Sequence, residues 1–196
     1  PKQPGMKRTV IDFRLVNRLI TKAQVPMPRL DDALDLLGEA RWFSLADARS
    51  GYFQVKCEEN TIEKTAFCTQ DGLYEWLVMP QGIANAPAHY ARLGTMILKD
   101  HPAAIMYIDD ALVYSKTFEE HLQHVDLLLC LLRKAKIKIS PEKSTWGCSS
   151  LTFLSHKVGA KGTSPDPDKV AVITNCPAPT TTKEVRSFYG LASFYR

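Results

Sequence analysis

Two adjacent aspartates, Asp109 and Asp110, are the residues of this chain with the clearest capacity for chemistry. They stand in the stretch MYIDDALVY, between two apolar runs that predict the strands of a hairpin buried on at least one face. A hairpin bend usually holds Gly, Asn or a single Asp, and no Lys, Arg or Gly stands beside this pair to relieve the repulsion between its carboxylates. Hard divalent cations such as Mg²⁺ prefer carboxylate oxygens and would relieve it. These residues alone leave two interpretations open, a metal site and a plain polar turn.

Phosphoryl chemistry at such a site needs a further carboxylate from another part of the chain, and Asp47 is the best candidate. Asp47 ends the strand-like stretch RWFSLAD, and Gly51 soon breaks the pattern. Taken alone, an aspartate there is more commonly a helix cap or a turn residue. The other acidic pair, Asp31–Asp32, falls in the first turn of a predicted helix, where negative charge meets the helix dipole favourably, and we interpret it as structural.

The elements that must position these acids follow from hydrophobic periodicity and turn residues. The pattern predicts, in chain order, a strand over residues 9–15, a short helix over 30–37, a strand over 41–47, a hairpin about Asp71–Gly72, a helix over about 86–100, a hairpin about Asp109–Asp110, a long helix after Thr117, strands at 136–140 and 151–158, and two short helices after Ser164. This order predicts an α+β fold, with a mostly antiparallel sheet covered on one face by helices.

Several positions within these elements carry more detailed expectations. Asp71–Gly72 has the residue types of a type I′ turn, Asn85 is the predicted cap of the helix that follows it, and Thr117 with Glu120 has capping-box spacing. The apolar face of the long helix is predicted at Leu122, Val125, Leu129 and Leu132. His121 and His124 are expected on the solvated side of the same helix.

The composition is that of an ordinary folded protein. The chain has 196 residues, of which 45% are hydrophobic and 23% charged, which suits one domain with a small appendage. The net charge of +4 permits nucleic-acid binding without requiring it. The five cysteines include no CxxC pair, which argues against a disulfide framework and a structural zinc site. No apolar run is long enough to span a bilayer. The first residue, Pro1, and the helical pattern at the last residues predict a piece of a longer protein.

The stretch YIDD (107–110) inside an apolar hairpin resembles the signature of reverse transcriptases. Further blocks stand in that family's order and spacing and cover nearly the whole chain. They are VIDFRLVN (10–17), VPMPRLDDALDLLGEARWFSLADARSGYFQV (25–55), KTAF (64–67), LVMPQGIANAP (77–87), LTFLSHKVG (151–159) and KEVRSFYGLASFYR (183–196). The chain is most similar to the polymerase region of gypsy-type long-terminal-repeat retrotransposons and of retroviruses.

The resemblance implies a right-hand polymerase with fingers, palm and thumb. Residues 1–21 and 55–85 would form the fingers, and residues 22–54 would form the first part of the palm. Residues 86–162 would complete the palm with its catalytic and primer-grip hairpins. The remaining residues, 163–196, would be the start of a truncated thumb.

The resemblance also implies an RNA-directed DNA polymerase of a retroelement polyprotein. Asp47, Asp109 and Asp110 would be its catalytic residues and would hold two Mg²⁺ ions, with Mn²⁺ as an alternative. One ion would lower the pKa of the primer 3′-hydroxyl, and the other would neutralise charge on the leaving phosphates. The implied partners are an RNA or DNA template-primer and deoxynucleoside triphosphates, with no membrane. The implied location is intracellular, in the cytoplasm or a virus-like particle, and the oligomeric state is left open.

Six residues match the family's nucleotide-binding positions. They are Lys2, Arg8, Tyr52, Gln81, Gly82 and Tyr107. The ring of Tyr52 would lie under the incoming sugar and leave no room for a 2′-hydroxyl. Arg8, accompanied by Lys2, would contact the triphosphate through charge-assisted hydrogen bonds. A solvated surface cation is the alternative interpretation of Lys2.

Four residues, Phe153, Leu154, Ser155 and His156, match the hairpin that grips the primer end. The family usually has glycine where Ser155 stands, and serine would strain the hairpin if the position needs a positive φ angle. Ser155 therefore motivates an alternative function, an inactive or co-opted relic that binds nucleic acid or protein. An RNA-dependent RNA polymerase with the same palm is a third possibility, against which Tyr52 argues because an aromatic gate excludes ribonucleotides.

Overall fold

The protein consists of helices of different lengths and short strands. The computed structural model describes residues 10–23, 25 and 30–193. The helices are α1 (Arg14–Leu19), α2 (Leu30–Asp35), α3 (Glu59–Ile62), α4 (Ala86–Ile97), α5 (Phe118–Lys134), α6 (Pro167–Thr174) and α7 (Thr182–Ala192), with 3₁₀ helices at Gly51–Gln54 and Glu63–Thr65. The strands are β1 (Trp42–Asp47), β2 (Phe67–Thr69), β3 (Gly72–Tyr74), β4 (Ala104–Tyr107), β5 (Asp110–Ser115), β6 (Thr145–Cys148), β7 (Ser150–Phe153), β8 (His156–Gly159) and β9 (Gly162–Pro165).

A four-stranded antiparallel sheet with the order β4–β5–β1–β6 lies at the centre of the protein. Ala111, Leu112 and Val113 of its inner strand β5 are at most 2% exposed. A strand buried on both faces carries a continuous apolar run rather than an alternating one, which explains the apolar run over residues 111–113. The other strands form the hairpin β2–β3 and the three-stranded sheet β7–β8–β9.

Two hydrophobic clusters cover the two faces of the central sheet, because successive side chains of a strand point to opposite sides. One cluster joins the sheet to α2 and to β7–β8, and its buried members are Ala33, Leu37, Ala40, Phe43, Ile105, Leu112, Leu151, Phe153 and Val158. The other joins the sheet to the side of α4 and α5, and its buried members are Ala46, Leu98, Ala111, Val113, Leu128 and Leu132. The predicted α+β fold, with an antiparallel sheet and the long helices on one face, is confirmed.

The strand predicted over residues 9–15 is wrong. Residues 10–13 form no strand, and α1 begins at Arg14. The carboxylate of Asp12 accepts hydrogen bonds from the backbone N–H of Arg14 at 3.0 Å and from its guanidinium at 2.6–3.0 Å. An aspartate that binds the backbone two residues ahead favours a turn over an extended strand, so the alternating pattern did not decide the structure here.

The hairpin predicted about Asp71–Gly72 is present, but its turn lies one residue earlier. Thr69 pairs with Gly72, so the two turn residues are Gln70 and Asp71. The backbone N–H of Asp71 donates to the hydroxyl of Thr69 at 3.2 Å, and Gly72 takes a φ of 146° as the first residue of β3. Glycine accepts this positive φ angle at the start of β3 more readily than other residues do. The prediction of a type I′ turn over Asp71–Gly72 is therefore wrong, because Gly72 belongs to the strand.

Other elements are close to their predicted positions. The helix after Asn85 is α4, and the last two predicted helices are α6 and α7. Asn85 makes no side-chain cap; its amide instead binds the backbone of Thr21 and Ala23, at 3.0 Å each. The strand predicted over residues 136–140 is reduced to one isolated bridge between Ala48 and Ile139.

Helix α5 has the predicted capping box, but its buried face is rotated from the predicted one. Leu122 is 56% exposed, whereas His121 is 1% exposed. The ring of His121 hydrogen-bonds the hydroxyls of Ser44 at 2.7 Å and Ser115 at 3.1 Å. The prediction that His121 faces solvent is therefore wrong, because two buried serines on the sheet satisfy the ring. Within the described residues, no helix is both long and apolar enough to cross a bilayer.

Candidate active site

Strand register brings the three predicted acids together. Asp47, the last residue of β1, pairs with Asp110, the first residue of β5, in the antiparallel ladder. The backbone N–H of Ala48 donates to the carbonyl oxygen of Asp109 at 3.0 Å, which joins the end of β1 to the turn before β5. Opposed residues of an antiparallel pair have neighbouring side chains. The three carboxylates therefore share one end of the central sheet.

The turn that carries Asp109 is strained. Tyr107 pairs with Asp110 across β4 and β5, so the turn residues are Ile108 and Asp109. Ile108 has a φ of 53°, and a β-branched residue in the left-handed region is an outlier. Strain of this kind persists where the surroundings enforce it, and it is concentrated at functional sites. The acidic pair thus straddles the end of the turn, with Asp109 in the turn and Asp110 in the strand.

The electrostatics of the site favour a bound cation. Burial, followed by the charges of Asp47 and Asp109, raises the pKa of Asp110 to about 6. Burial and the charge of Asp47 likewise raise the pKa of Asp109. One buried carboxylate oxygen of Asp47 and one of Asp109 have no hydrogen-bond partner. Unpartnered buried acceptors are costly, and a divalent cation would satisfy both oxygens.

The protein supplies only part of a metal ligand set. Within the described residues, no three His, Cys, Asp or Glu side chains are arranged as a ready-made metal site. Mg²⁺ keeps several waters and is usually bound by one or two carboxylates together with substrate phosphates. Asp47 and Asp109, with their unpartnered oxygens, fit that role, and Asp110 adds charge beside them.

A segment between α5 and β6 holds Asp47 in place, and the sequence did not reveal it. The backbone N–H of Asp47 donates to the hydroxyl of Ser144 at 3.1 Å, and its carbonyl oxygen accepts from the N–H of Ser140 at 2.9 Å. The ammonium of Lys143 lies 3.9 Å from the Asp47 carboxylate. The charge of Lys143 also opposes the rise in the pKa of Asp109 and Asp110. Lys and Ser are common in loops, so nothing in the sequence distinguished these residues.

Tyr52 lies near Asp109, whose charge acts on its hydroxyl, and a second tyrosine packs against its ring. The rings of Tyr52 and Tyr90 meet edge to face, with centroids 5.4 Å apart. Tyr90 is 2% exposed, and burial together with the charge of Asp109 raises its pKa to about 12. A Cβ atom on Gly51 would lie 2.6 Å from the Tyr90 hydroxyl and 2.9 Å from the Asp109 carboxylate. Only glycine therefore allows this approach. A glycine directly before Tyr52 is the sequence feature that indicates a close approach of the backbone at this point.

The remaining nucleotide-binding candidates have different outcomes. Gln81 and Gly82 form a turn between β3 and α4, where Gly82 takes a φ of 100°. The side chain of Asn17 fixes this turn by donating to the carbonyl oxygen of Gly82 and accepting from the N–H of Ala84, both at 2.8 Å. Tyr107 is half-buried and packs against the core cluster that contains Leu112. The predicted triphosphate contacts, Lys2 and Arg8, lie outside the described residues.

The predicted primer-grip residues form the β7–β8 hairpin. Phe153 pairs with His156, and the two turn residues, Leu154 and Ser155, have φ angles of 49° and 66°. The ring of Phe153 is 1% exposed and belongs to the core, so it supports the hairpin from below. Leu154, Ser155 and His156 are half-buried and remain at the surface. Position 155 thus takes the positive φ angle that favours glycine.

Comparison with known families gives one match over most of the chain. The model of the family described as reverse transcriptase (RNA-dependent DNA polymerase) matches residues 1–158. The chain is 38% identical over 200 residues to the retrovirus-related Pol polyprotein from transposon opus of Drosophila melanogaster, covering all of this chain and 20% of that polyprotein. It is 37% identical over 192 residues to the corresponding polyprotein from transposon gypsy of the same organism, covering 97% of this chain and 19% of the relative.

Solved structures give the same fold. The foamy viral protease-reverse transcriptase in complex with double-stranded DNA superposes with a TM-score of 0.94 at 28% identity, over all of this chain and 35% of that one. The same viral enzyme in complex with an RNA/DNA hybrid gives a TM-score of 0.87 at 27% identity, over 95% of this chain and 26% of that one. The chain therefore spans about a fifth of the curated relatives and between about a quarter and a third of these structures.

Proposed function

Because the chain belongs to the reverse transcriptase family, we propose that it forms the polymerase site of a retroelement Pol polyprotein. The reaction adds deoxynucleotides to a primer 3′-hydroxyl on an RNA or DNA template. One observation carries the proposal: Asp47, Asp109 and Asp110 converge at one sheet end, with two buried carboxylate oxygens left without donors. The complexes of the foamy viral enzyme with double-stranded DNA and with an RNA/DNA hybrid support a template-primer as the partner.

Asp47 and Asp109 are the proposed ligands of two Mg²⁺ ions, for which Mn²⁺ is an alternative, and Asp110 supports them. When bound, such ions lower the pKa of an attacking hydroxyl and neutralise charge on the leaving phosphates. The strained turn at Ile108 and the segment around Ser144 hold Asp109 and Asp47 in place before substrate arrives. A site organised in advance does not have to rearrange during the reaction.

The 3₁₀ helix Gly51–Gln54 provides the proposed sugar site. The ring of Tyr52 lies beside Asp109, whose charge raises the pKa of the Tyr52 hydroxyl in addition to the effect of burial. In this position the ring excludes a 2′-hydroxyl and selects deoxynucleotides. Gln81, Gly82 and Tyr107 are the proposed further contacts of the nucleotide. Arg8 and Lys2 are the proposed contacts of its triphosphate.

The surface residues of the β7–β8 turn are the proposed grip on the primer end. The proposed division of the chain is fingers (1–21 and 55–85), palm (22–54 and 86–162) and the start of the thumb (163–196). The proposed location is intracellular, in the cytoplasm or a virus-like particle. Deoxynucleoside triphosphates are the proposed substrates.

Primer extension in the presence of Mg²⁺ tests the catalytic assignment. Asp109→Asn removes the charge of a proposed metal ligand, and extension should fall more than about a hundredfold, since even the partners that orient metal ligands contribute 10–100-fold. Asp100→Asn, a matched change at an exposed aspartate after α4, should leave extension unchanged. Equal extension by wild type and Asp109→Asn would show that the assignment is wrong.

A second candidate function rests on the β7–β8 turn. Leu154 and Ser155 both adopt left-handed backbone angles, each of which costs roughly 1–2 kcal/mol in a residue other than glycine. Such strain at the primer end would suit a relic that has kept the fold and binds nucleic acid or protein without polymerising. Primer extension by Ser155→Gly decides between the two: a large gain over wild type indicates a decayed copy, and equal extension argues against one.

A further inference from the structure

Gln54, the last residue of the 3₁₀ helix that carries Tyr52, uses its whole side-chain amide to bind backbone groups. Its Nε2 donates to the carbonyl oxygens of Arg49 at 2.7 Å and Lys138 at 2.9 Å. Its Oε1 accepts from the backbone N–H of Lys138 at 2.6 Å. The amide therefore binds both backbone polar groups of Lys138, a residue 84 positions further along the chain.

The partner of Gln54 belongs to the segment that also positions Asp47. We name residues 138–144 the bracket segment. Its Lys138 carbonyl oxygen accepts from the N–H of Arg49 at 3.0 Å, and its Ser140 and Ser144 hold the backbone of Asp47 at 2.9 and 3.1 Å. One short segment thus fixes both the proposed metal ligand and, through Gln54, the helix of the proposed sugar site.

Other contacts also hold the 3₁₀ helix, among them the Tyr52–Tyr90 ring contact described above. The helix is four residues long and begins after Ser50, which has a φ of 52°. On its other side, the ring of Phe53 stacks on Trp76, which follows the β2–β3 hairpin, with centroids 5.3 Å apart. Gln54 therefore joins this helix to the bracket segment by hydrogen bonds, while Phe53 joins it to the hairpin region by ring stacking.

We propose that Gln54 is a positioning residue for sugar selection, which fixes the ring of Tyr52 at a set distance from Asp47. This inference rests on the proposed polymerase function and on Tyr52 as its sugar gate. Steric exclusion of one hydroxyl depends on small distances, and a displacement of about 1 Å can change a rate a hundredfold. Loss of the Gln54 bonds lets the 3₁₀ helix move away from the bracket segment and opens space beside the 2′ position.

The experiment compares kcat/KM for a deoxynucleotide with kcat/KM for the matching ribonucleotide, in the protein that contains these 196 residues. In Gln54→Leu this selectivity should fall about tenfold or more, as in other cases where steric discrimination is lost, mainly through better use of the ribonucleotide. The selectivity of Gln54→Glu should fall at least as far, because its second carboxylate oxygen would face the two carbonyl oxygens that Nε2 binds in the wild type. Gln123→Leu, at an exposed site on α5, is the matched control and should keep the wild-type selectivity.

A double-mutant cycle separates positioning from general damage to the fold. In a Tyr52→Ala background the gate is already absent, so Gln54→Leu should change the selectivity no further, although each single change lowers it. Additive losses of selectivity in the double mutant would overturn the role of Gln54 alone. Wild-type selectivity in both Gln54 variants, together with reduced selectivity in Tyr52→Ala, would do the same. Wild-type selectivity in Tyr52→Ala would overturn the gate, and no extension by wild type would overturn the proposed function together with this inference.

Discussion

At the scale of single residues, Asp110 carries the most informative electrostatic signal. Its pKa is raised from 3.8 to about 6, first by burial and then by the charges of Asp47 and Asp109. A carboxyl group with a raised pKa binds its proton more tightly in the folded state than in the unfolded state. Its contribution to stability is therefore fully present below pH 3.8 and is lost as the pH rises through about 6.

Urea unfolding of metal-free protein between pH 4 and pH 8 measures this effect. Wild type and Asp110→Asn should have similar free energies of unfolding near pH 4, and the variant should become the more stable of the two above about pH 6. Mg²⁺ added above pH 6 should stabilise wild type, because the cation binds only the folded carboxylates. A difference between the two proteins that stays constant with pH would contradict the raised pKa.

Some site residues could be predicted from their neighbours in the sequence. Others could not, because their roles depend on contacts with distant parts of the chain. Asp109 and Asp110 stood out because a repelling acidic pair between apolar runs is unusual, and their neighbours resembled a family motif. Gln54 and Lys143 carried no such signal, since their roles depend on contacts with residues far along the chain. Nothing in the sequence alone shows which backbone group a glutamine will bind.

At the scale of elements, helix α5 is joined to the sheet by a buried polar network. His121 hydrogen-bonds Ser44 on β1 and Ser115 on β5, and Ser115 also bonds the ring of His124 at 2.8 Å. The hydroxyl of Ser44 further accepts from the N–H of Gly147 in β6 at 2.9 Å. Three strands and one helix are thus fixed to one another behind the acidic site.

Removal of His121 should destabilise the protein clearly. His121→Ala takes one partner from each of two buried hydroxyls and leaves a cavity, which should lower the free energy of unfolding by about 2–4 kcal/mol. His89→Ala, at an exposed position of α4, should change it by less than about 0.5 kcal/mol. Urea unfolding at pH 7.5 measures both. Similar values for the two variants would mean that the network does not stabilise the fold.

Element predictions succeeded where a local cap or a long period decided the structure. The capping box of Thr117 and Glu120 starts α5 as expected, with the Glu120 N–H bound to the Thr117 hydroxyl at 3.2 Å. The strand predicted across residues 9–15 failed because an alternating pattern gives a strand only where a neighbouring strand pairs with it. The side chain of Asp12 instead starts α1. The prediction of the buried face of α5 failed at His121, because its ring is satisfied by buried serines of the sheet that the helix periodicity does not show.

At the scale of the whole molecule, the central sheet explains why the site lies where it does. Clusters on both faces bury β1 and β5, and the carboxylates at their shared end are partly withdrawn from water. The fold class could be predicted because the order of strands and helices sets it. The register that places Asp47 opposite Asp110 could not, since it depends on how two strands distant in sequence align.

Single-nucleotide incorporation tests the central claim most directly. The protein that contains these residues is given a primer annealed to an RNA template, with one deoxynucleoside triphosphate at a time and with Mg²⁺ or EDTA. We predict extension only with Mg²⁺ and only by the nucleotide complementary to the next template base. Extension that ignores the template base, extension that persists in EDTA, or no extension with any nucleotide would contradict a metal-dependent polymerase site at Asp47, Asp109 and Asp110.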